Sequence, residues 1–98
     1  MKHIRFALWD VTSGTAEEAI EIARSGFRPL LESEPGFVRY EVGTLDNGVI
    51  VSLSVWESAN QAMHAVAAAH DWVTANLADR IKLREEHLGD LSWDDGPA

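Results

Sequence analysis

Two side chains of this sequence, His70 and Tyr40, combine acid-base or donor chemistry with a predicted position on a buried face. His70 falls within about 40° of the centre of the apolar stripe of a predicted helix. Tyr40 is the only tyrosine, and it falls on the side of a predicted strand that faces the helices. A buried imidazole or phenol needs a hydrogen-bond partner. The sequence leaves two kinds of partner open: a ligand or water in a cavity, or a protein group in a dry core.

Other kinds of site lack the residue pattern that they require. His64 and His70 are six residues apart, so they would point to opposite sides of one helix, and no His-Glu-x-x-His motif occurs. The chain has no cysteine and no Gly-x-Gly-x-x-Gly loop. Ser52 and Ser54 lie within a predicted strand, without the sharp turn that exposes a catalytic serine. We therefore expect neither a metal nor a cofactor.

The composition restricts the partners of the protein. Sixteen acidic residues against eight Lys and Arg give a formal net charge of -8, and no basic run is present to attract a phosphate backbone or an anionic membrane. No apolar run approaches the roughly 18 residues of a membrane span, and residues 1–10 do not resemble a signal peptide. We expect a single cytoplasmic domain over residues 1–93, without a nucleic-acid or membrane partner.

Hydrophobic periodicity predicts strands at residues 3–11, 37–44, 49–56 and 84–93, with helices at residues 15–34 and 58–81. Thr15 and Glu18 form a capping-box pattern at the start of the first helix, and Pro29 predicts a kink or break near Ser25-Gly26. The pair Asn47-Gly48 predicts a hairpin turn with positive φ values. Residues 94–98 are expected to form a mobile tail.

The element order β-α-β-β-α-β predicts an α+β fold, a ferredoxin-like sandwich with two helices on one face of an antiparallel four-stranded sheet. The residues expected beneath the helices include Ile4, Phe6, Leu8, Tyr40, Val51 and Leu53. The residues expected on the opposite face include Trp9, Ile50 and Trp56. Because so much aromatic surface would be unfavourable in water, we expect those three residues to form the interface of a homodimer.

Three segments resemble the antibiotic biosynthesis monooxygenase-like domains of the dimeric α+β barrel superfamily. They are Thr15-Ala16-Glu17-Glu18, Glu34-Pro35-Gly36-Phe37 and Val55-Trp56-Glu57-Ser58. The resemblance implies a homodimer with a pocket between helices and sheet in each subunit. The similar domains include cofactor-independent oxygenases of aromatic polyketides and heme-degrading enzymes. Counted from Trp56, the positions at which the heme-degrading members carry functional residues are Ala65 and Ala75 here, which disfavours heme degradation.

The function expected from this resemblance is that of a cofactor-independent monooxygenase acting on a small aromatic or polyketide-like molecule. In that role His70 would be the general base and Tyr40 a donor to the substrate anion. Trp72, Leu8 and Val66 would form the wall of the substrate site. The alternative is a homodimer without catalysis, which binds a small apolar or aromatic ligand or is purely structural.

Overall fold

The structure is a computed structural model that describes residues 1–92, and within them the chain forms a four-stranded antiparallel sheet with helices packed on one face. The strand order is β2-β3-β1-β4, which is that of a ferredoxin-like fold and confirms the predicted fold class. The strands are β1 (His3–Val11), β2 (Phe37–Thr44), β3 (Ile50–Trp56) and β4 (Ile81–Asp90). The helices are α1 (Ala16–Ile22), α2 (Arg28–Ser33) and α3 (Ala59–Asn76), with a π-helical segment (Ala23–Phe27) between α1 and α2.

Helix α1 begins at the predicted capping box. The Thr15 hydroxyl accepts a hydrogen bond from the backbone N–H of Glu18 at 3.1 Å, and the Glu18 carboxylate accepts one from the backbone N–H of Thr15 at 3.2 Å. Each contact satisfies an N–H group that the first helical turn cannot use. Residues 16–33 then continue as one helical run to Ser33.

Pro29 changes the geometry of this helix without ending it. The residue lacks the N–H that an α-helix would use at its position, and it lies in the first turn of α2, where that N–H is not needed. The preceding turn widens into the π-helical segment, in which the N–H of Arg28 bonds to the carbonyl of Ala23. The irregularity predicted near Ser25-Gly26 is therefore a π-helical turn.

The hairpin between β2 and β3 forms at the predicted place with a different turn geometry. Gly48 has a φ of 87°, while Asn47, like every other non-glycine residue described, has no positive φ. The N–H of Gly48 bonds to the carbonyl of Leu45 at 2.9 Å, and the Asn47 side chain accepts from the N–H of Val49. The expectation of positive φ values at both residues was wrong, because the longer loop needs a left-handed residue only at Gly48.

The second helix is shorter than its apolar stripe predicted. It begins after Ser58, whose hydroxyl accepts from the N–H of Gln61 at 3.3 Å, and it ends at Asn76. Ile81, which the stripe assigned to this helix, is the first residue of β4 and pairs with Val11. A residue can be buried at helical spacing and still belong to the next element, because the core lies beneath both. The predicted tail at residues 94–98, and Trp93 before it, lie outside the described residues.

The predicted assignment of the two sheet faces was wrong for β1 and β3. Trp56 and Ile50 are 1% and 4% exposed and belong to the core clusters beneath the helices, and Trp9 packs against one of those clusters. These side chains are covered within one protomer, so they have little surface to offer a partner. The residues that alternate with them instead form the second face of the sheet, which is defined by Ile4, Phe6, Leu8, Val51 and Leu53.

Tyr40 of β2 faces the helices, as predicted, because the pairing of β2 with β3 is irregular. The register with β3 shifts between Phe37 and Arg39, so Phe37 lies opposite Trp56 and Tyr40 opposite Ser54. A bulge of this kind lets residues of odd and even number share one face. Phe37 and Tyr40 both pack against the core cluster beneath the helices.

Gly26, in the π-helical segment, has no room for a side chain. A Cβ at this position would lie 2.6 Å from Cζ2 of Trp72 on α3, whereas a Cβ at Gly89 would meet nothing within 4 Å. We predict that Gly26→Ala lowers the free energy of unfolding by about 1 to 3 kcal/mol through overpacking. Urea denaturation measures the effect, and Gly89→Ala, expected to change stability little, is the control. Equal stability of both variants would contradict the close packing.

Candidate functional site

A cavity lies between α3 and the sheet, on the side of β1 and β4. Its main chamber has a volume of about 680 Å³, and an adjoining inner pocket of about 40 Å³ extends toward β2. Arg5, Trp9 and Phe27 line both spaces. The main chamber has the size of an ordinary small-molecule site, and it lies between helices and sheet, where a pocket was expected.

The floor of the cavity carries a cation, Arg5 of β1. Its side chain is only 11% exposed, and Nε and Nη2 donate to the same oxygen, Oε2 of Glu86 on β4, at 3.1 and 2.6 Å. The guanidinium also lies over the ring of Trp9, 5.9 Å from its centroid. Arg5 therefore brings a positive charge to the cavity wall, and its ion pair with Glu86, which lines the same chamber, offsets part of that charge.

Tyr40 lines the inner pocket, as its predicted helix-facing position requires. Its ring packs edge-on against Phe27 with centroids 5.7 Å apart. Burial raises the pKa of Tyr40 to about 12, although the charge of Arg5 and a hydrogen bond with Ser52 act in the opposite direction. The phenol is therefore neutral at physiological pH, and it is a hydrogen-bond donor and not an anion.

Ser52 joins the inner pocket to the core. Its hydroxyl accepts a hydrogen bond from the indole N–H of Trp9 at 3.1 Å, and it also bonds to Tyr40. Ser54, two residues along β3, accepts from the indole N–H of Trp56 at 2.9 Å. The two strand serines thus have structural partners, and Ser52 is in addition part of the pocket wall.

His70 has a different environment from the one that its helical position predicted. It lines the main chamber, but it is exposed, so water can satisfy its imidazole. The buried positions of α3 are Ala62, Ala65 and Ala69, and His70 lies about 100° around the helix from Ala69. The predicted apolar stripe included the exposed Met63 and left out the buried Ala65, which moved its apparent centre toward His70. The prediction of a buried His70 was wrong, while its place beside a cavity stands.

The three residues predicted as substrate wall lie in three different places. Val66 lines the main chamber. Trp72 packs against Phe27 with centroids 5.4 Å apart and lines a shallow surface depression instead. Leu8 pairs with Val51 on the second face of the sheet, away from the helices. Of these predicted wall residues, only Val66 lies in the same space as His70.

Several residues of the cavity were missing from the sequence-based site, among them Arg5, Glu86 and Phe27. Arg5 alternates with Ala7 and Trp9 along β1, so it was assigned to the same face as Trp9, but that face was taken to be the dimer side. Glu86 could not be paired with Arg5 without the register of β4 on β1.

Within residues 1–92, no group of three or more His, Asp or Glu side chains is arranged to hold a metal ion. In the same residues, no helix has the length and apolar character needed to cross a membrane.

The sequence profile described as antibiotic biosynthesis monooxygenase matches residues 3–76 of the chain. The chain belongs to this family. This membership supports a monooxygenase-like role for the domain at the level of the family. No curated protein sequence matches the chain.

Solved structures share the fold of this family member over almost its whole length. SnoaB, a cofactor-independent oxygenase from Streptomyces nogalater, is 20% identical, and the alignment covers 98% of both chains with a TM-score of 0.76. A Chloroflexus aurantiacus protein assigned to the same family is 18% identical over 98% of both chains, with a TM-score of 0.74. MupZ from Pseudomonas fluorescens is 10% identical, over 89% of this chain and 69% of that chain, with a TM-score of 0.74.

Tyr40 offers a direct test of the inner pocket because it is the only tyrosine. We predict that its phenolate absorbance appears with a midpoint near pH 12 in the folded protein and near pH 10 in urea. The folded state holds the proton more tightly, so its stability should fall as pH rises through this interval. Tyr40→Phe should lose this part of the pH dependence. A midpoint near 10 in the folded protein would show that Tyr40 is not buried.

Proposed function

We propose that this family member is a cofactor-independent monooxygenase of a small aromatic or polyketide-like molecule. The observation that carries the proposal is an apolar main chamber of about 680 Å³ that shares a largely buried guanidinium, Arg5, with an inner pocket lined by the neutral phenol of Tyr40. An apolar chamber accepts an aromatic ring. A cation and a donor at one end stabilise a negative charge that develops on the ring system during the reaction.

The reaction needs no electron donor besides the substrate. A base removes a proton from an activated C–H group, and the resulting carbanion or enolate transfers one electron to dioxygen. The two radicals combine into a peroxide anion, which takes up a proton to form a hydroperoxide, and the hydroperoxide loses water to leave a carbonyl group. One oxygen atom enters the product and the other leaves as water, so substrate and dioxygen supply all the electrons.

Each residue role follows from its place in the cavity. His70 lies at the water-accessible side of the main chamber, where an imidazole can accept a proton from the substrate and release it to solvent. Arg5 and Tyr40 lie at the inner end, where they face the substrate oxygen that gains charge. Phe27 and Val66 provide apolar wall against the ring.

The role of His70 has a matched control on the same helix. We predict that His70→Ala lowers the rate of oxygen consumption with a reactive phenol or quinol about 100-fold or more, because a positioned base contributes at least that much. His64→Ala should retain the wild-type rate, since His64 is exposed and pairs with Glu34 at 3.6 Å, outside the cavity.

An oxygen electrode measures both rates with a panel of phenols and quinols. A His70→Ala rate equal to that of His64→Ala would refute the role of His70. If the wild-type protein bound members of the panel but oxidised none of them, the alternative of a ligand-binding domain without catalysis would be favoured.

We further propose that the protein is a homodimer formed through the second face of the sheet. Ile4, Phe6, Leu8, Val51 and Leu53 lie together on this face and are partly exposed in a single chain. Charged pairs lie on the strands around them, among them Asp10 with Arg84 at 2.6 Å. An apolar centre with a charged rim is the arrangement expected of an interface between protein subunits.

Phe6, at the centre of this face, tests the assembly. We predict that the wild-type protein sediments with about twice the 10.8 kDa mass of one chain, and that Phe6→Asp sediments as a monomer because a buried charge opposes association. Ala75→Asp introduces the same charge on the exposed surface of α3 and should remain dimeric. Analytical ultracentrifugation gives the masses, and circular dichroism verifies folding. A monomeric wild-type protein would refute the dimer.

A further inference from the structure

Besides the main chamber, the cavity reaches the surface on the side of β2, the strand at the opposite edge of the sheet from β4. An outer pocket of about 150 Å³ lies there between the helical run and β2. The residues that line both the outer and the inner pocket are Ile20, Ala23, Tyr40 and Val42. The inner pocket in turn shares Arg5, Trp9 and Phe27 with the main chamber. The three spaces therefore form a row that crosses the molecule from α3 and β4 to β2.

The inner pocket is the narrow part of this row. It measures about 40 Å³, a few times the ~10–15 Å³ that one water molecule needs, whereas a cavity that binds benzene is on the order of 150 Å³. The main chamber of about 680 Å³ has room for an aromatic substrate. An aromatic ring is therefore admitted through the main chamber alone, and the inner pocket passes only molecules of a few atoms.

The wall of the inner pocket is mostly apolar. Its apolar side chains include Ala19, Ile20, Ala23, Val42, Ile50 and Leu77. Among its polar side chains, Arg5 is paired with Glu86, and Ser52 accepts a hydrogen bond from the indole N–H of Trp9. Small apolar cavities remain dry and take up apolar molecules such as xenon. The pocket therefore favours a small apolar molecule over water.

We propose that the inner pocket takes up dioxygen, which enters from the edge of β2 through the outer pocket, while the organic substrate enters the main chamber between α3 and β4. The proposal rests on the proposed function, in which dioxygen is the second substrate. A bound ring closes the main chamber to other molecules, so a separate route lets dioxygen arrive after the substrate has bound. Because Arg5 and Phe27 line both spaces, dioxygen in the inner pocket lies next to the chamber that holds the ring.

Val42 is the residue at which the two routes can be separated. It lines the inner and the outer pocket, it is 36% exposed on β2, and it packs against neither core cluster. A larger side chain at this position fills the outer pocket without overpacking the core. Ala67 has the corresponding place on the other route, because it is exposed on α3 and lines the main chamber.

Oxygen consumption at varied concentrations of dioxygen and of a phenol or quinol tests the two routes. We expect Val42→Trp to lower kcat/KM for dioxygen about fivefold or more and to leave KM for the organic substrate unchanged. Ala67→Trp should raise KM for the organic substrate and retain kcat/KM for dioxygen. The control Leu45→Trp adds the same bulk at an exposed position outside both pockets and should behave as the wild type. Equal kcat/KM for dioxygen in Val42→Trp and Leu45→Trp would overturn the second route.

Dissolved dioxygen is paramagnetic, so NMR spectroscopy locates it in the protein without turnover. Ala19 and Leu77 line the inner pocket although they are only 2% and 3% exposed, whereas Ala62, which is 0% exposed, lines none of the three spaces. We expect dioxygen to enhance the relaxation of the Ala19 and Leu77 methyl groups at least about threefold more than that of Ala62, because a close-packed core has no room for a gas. Equal enhancement at all three residues would overturn the dioxygen pocket.

Naphthalene gives the same measurement a closed main chamber, because it is an aromatic molecule without an ionisable group to react. With naphthalene bound, the Ala19 methyl group of the wild-type protein should keep its dioxygen enhancement. The enhancement should be lost in Val42→Trp with naphthalene bound, since both routes are then closed. An enhancement retained there would show that the outer pocket is not the route. A protein that binds no naphthalene would contradict the aromatic-sized chamber on which the proposal depends.

The proposed reaction and the proposed dioxygen pocket fail separately in these experiments. A protein with strong enhancement at Ala19 and Leu77 that consumes no oxygen with any phenol or quinol would retain the pocket and lose the reaction. A protein that consumes oxygen but shows equal enhancement at Ala19 and Ala62 would retain the reaction and lose the pocket.

Discussion

The structure depends on hydrogen-bond acceptors for two indole N–H groups beneath the helices, one on the buried Trp56 and one on the partly buried Trp9. Trp9 and Trp56 lie on the helix-facing side of the sheet, and each donates to a serine of β3, Ser52 or Ser54. An indole buried without an acceptor would be costly, so the tryptophans and the serines must share one face. Once this face is beneath the helices, Arg5 and Tyr40, which lie on the same side, are also enclosed. The polar floor of the cavity follows from the same constraint.

The alanines of α3 decide how much room remains above that floor. Ala62, Ala65 and Ala69 pack against Trp56, Phe27 and Leu31 in one core cluster. Beyond this contact the helix leaves a chamber toward β4, where it faces Arg5 and Glu86. The alanine-rich face thus gives close packing along one edge and open space along the other. A single row of small side chains can do both because α3 covers only part of the sheet.

The π-helical segment connects this packing to the site. It lets the helical run pass Pro29, and it places Phe27 where the ring contacts both Tyr40 and Trp72. Phe27 therefore forms part of the cavity wall and part of the core. Trp72 supports this arrangement from the outer side, where Gly26 leaves room for its indole. Trp72 was expected in the substrate site, but it faces the other side of α3 and instead positions the wall of that site.

The sequence by itself determined the order of the elements, the start of α1 at Thr15, the position of the hairpin and the ferredoxin-like topology. These features depend on local hydrogen bonds and on the spacing of apolar residues, which are properties of neighbouring positions. Tertiary structure decided which face of the sheet the helices cover, because both faces of β1 and β3 carry apolar side chains and alternation alone cannot rank them. It also decided that Arg5 meets Glu86, residues 81 positions apart, since only the pairing of β1 with β4 brings them together.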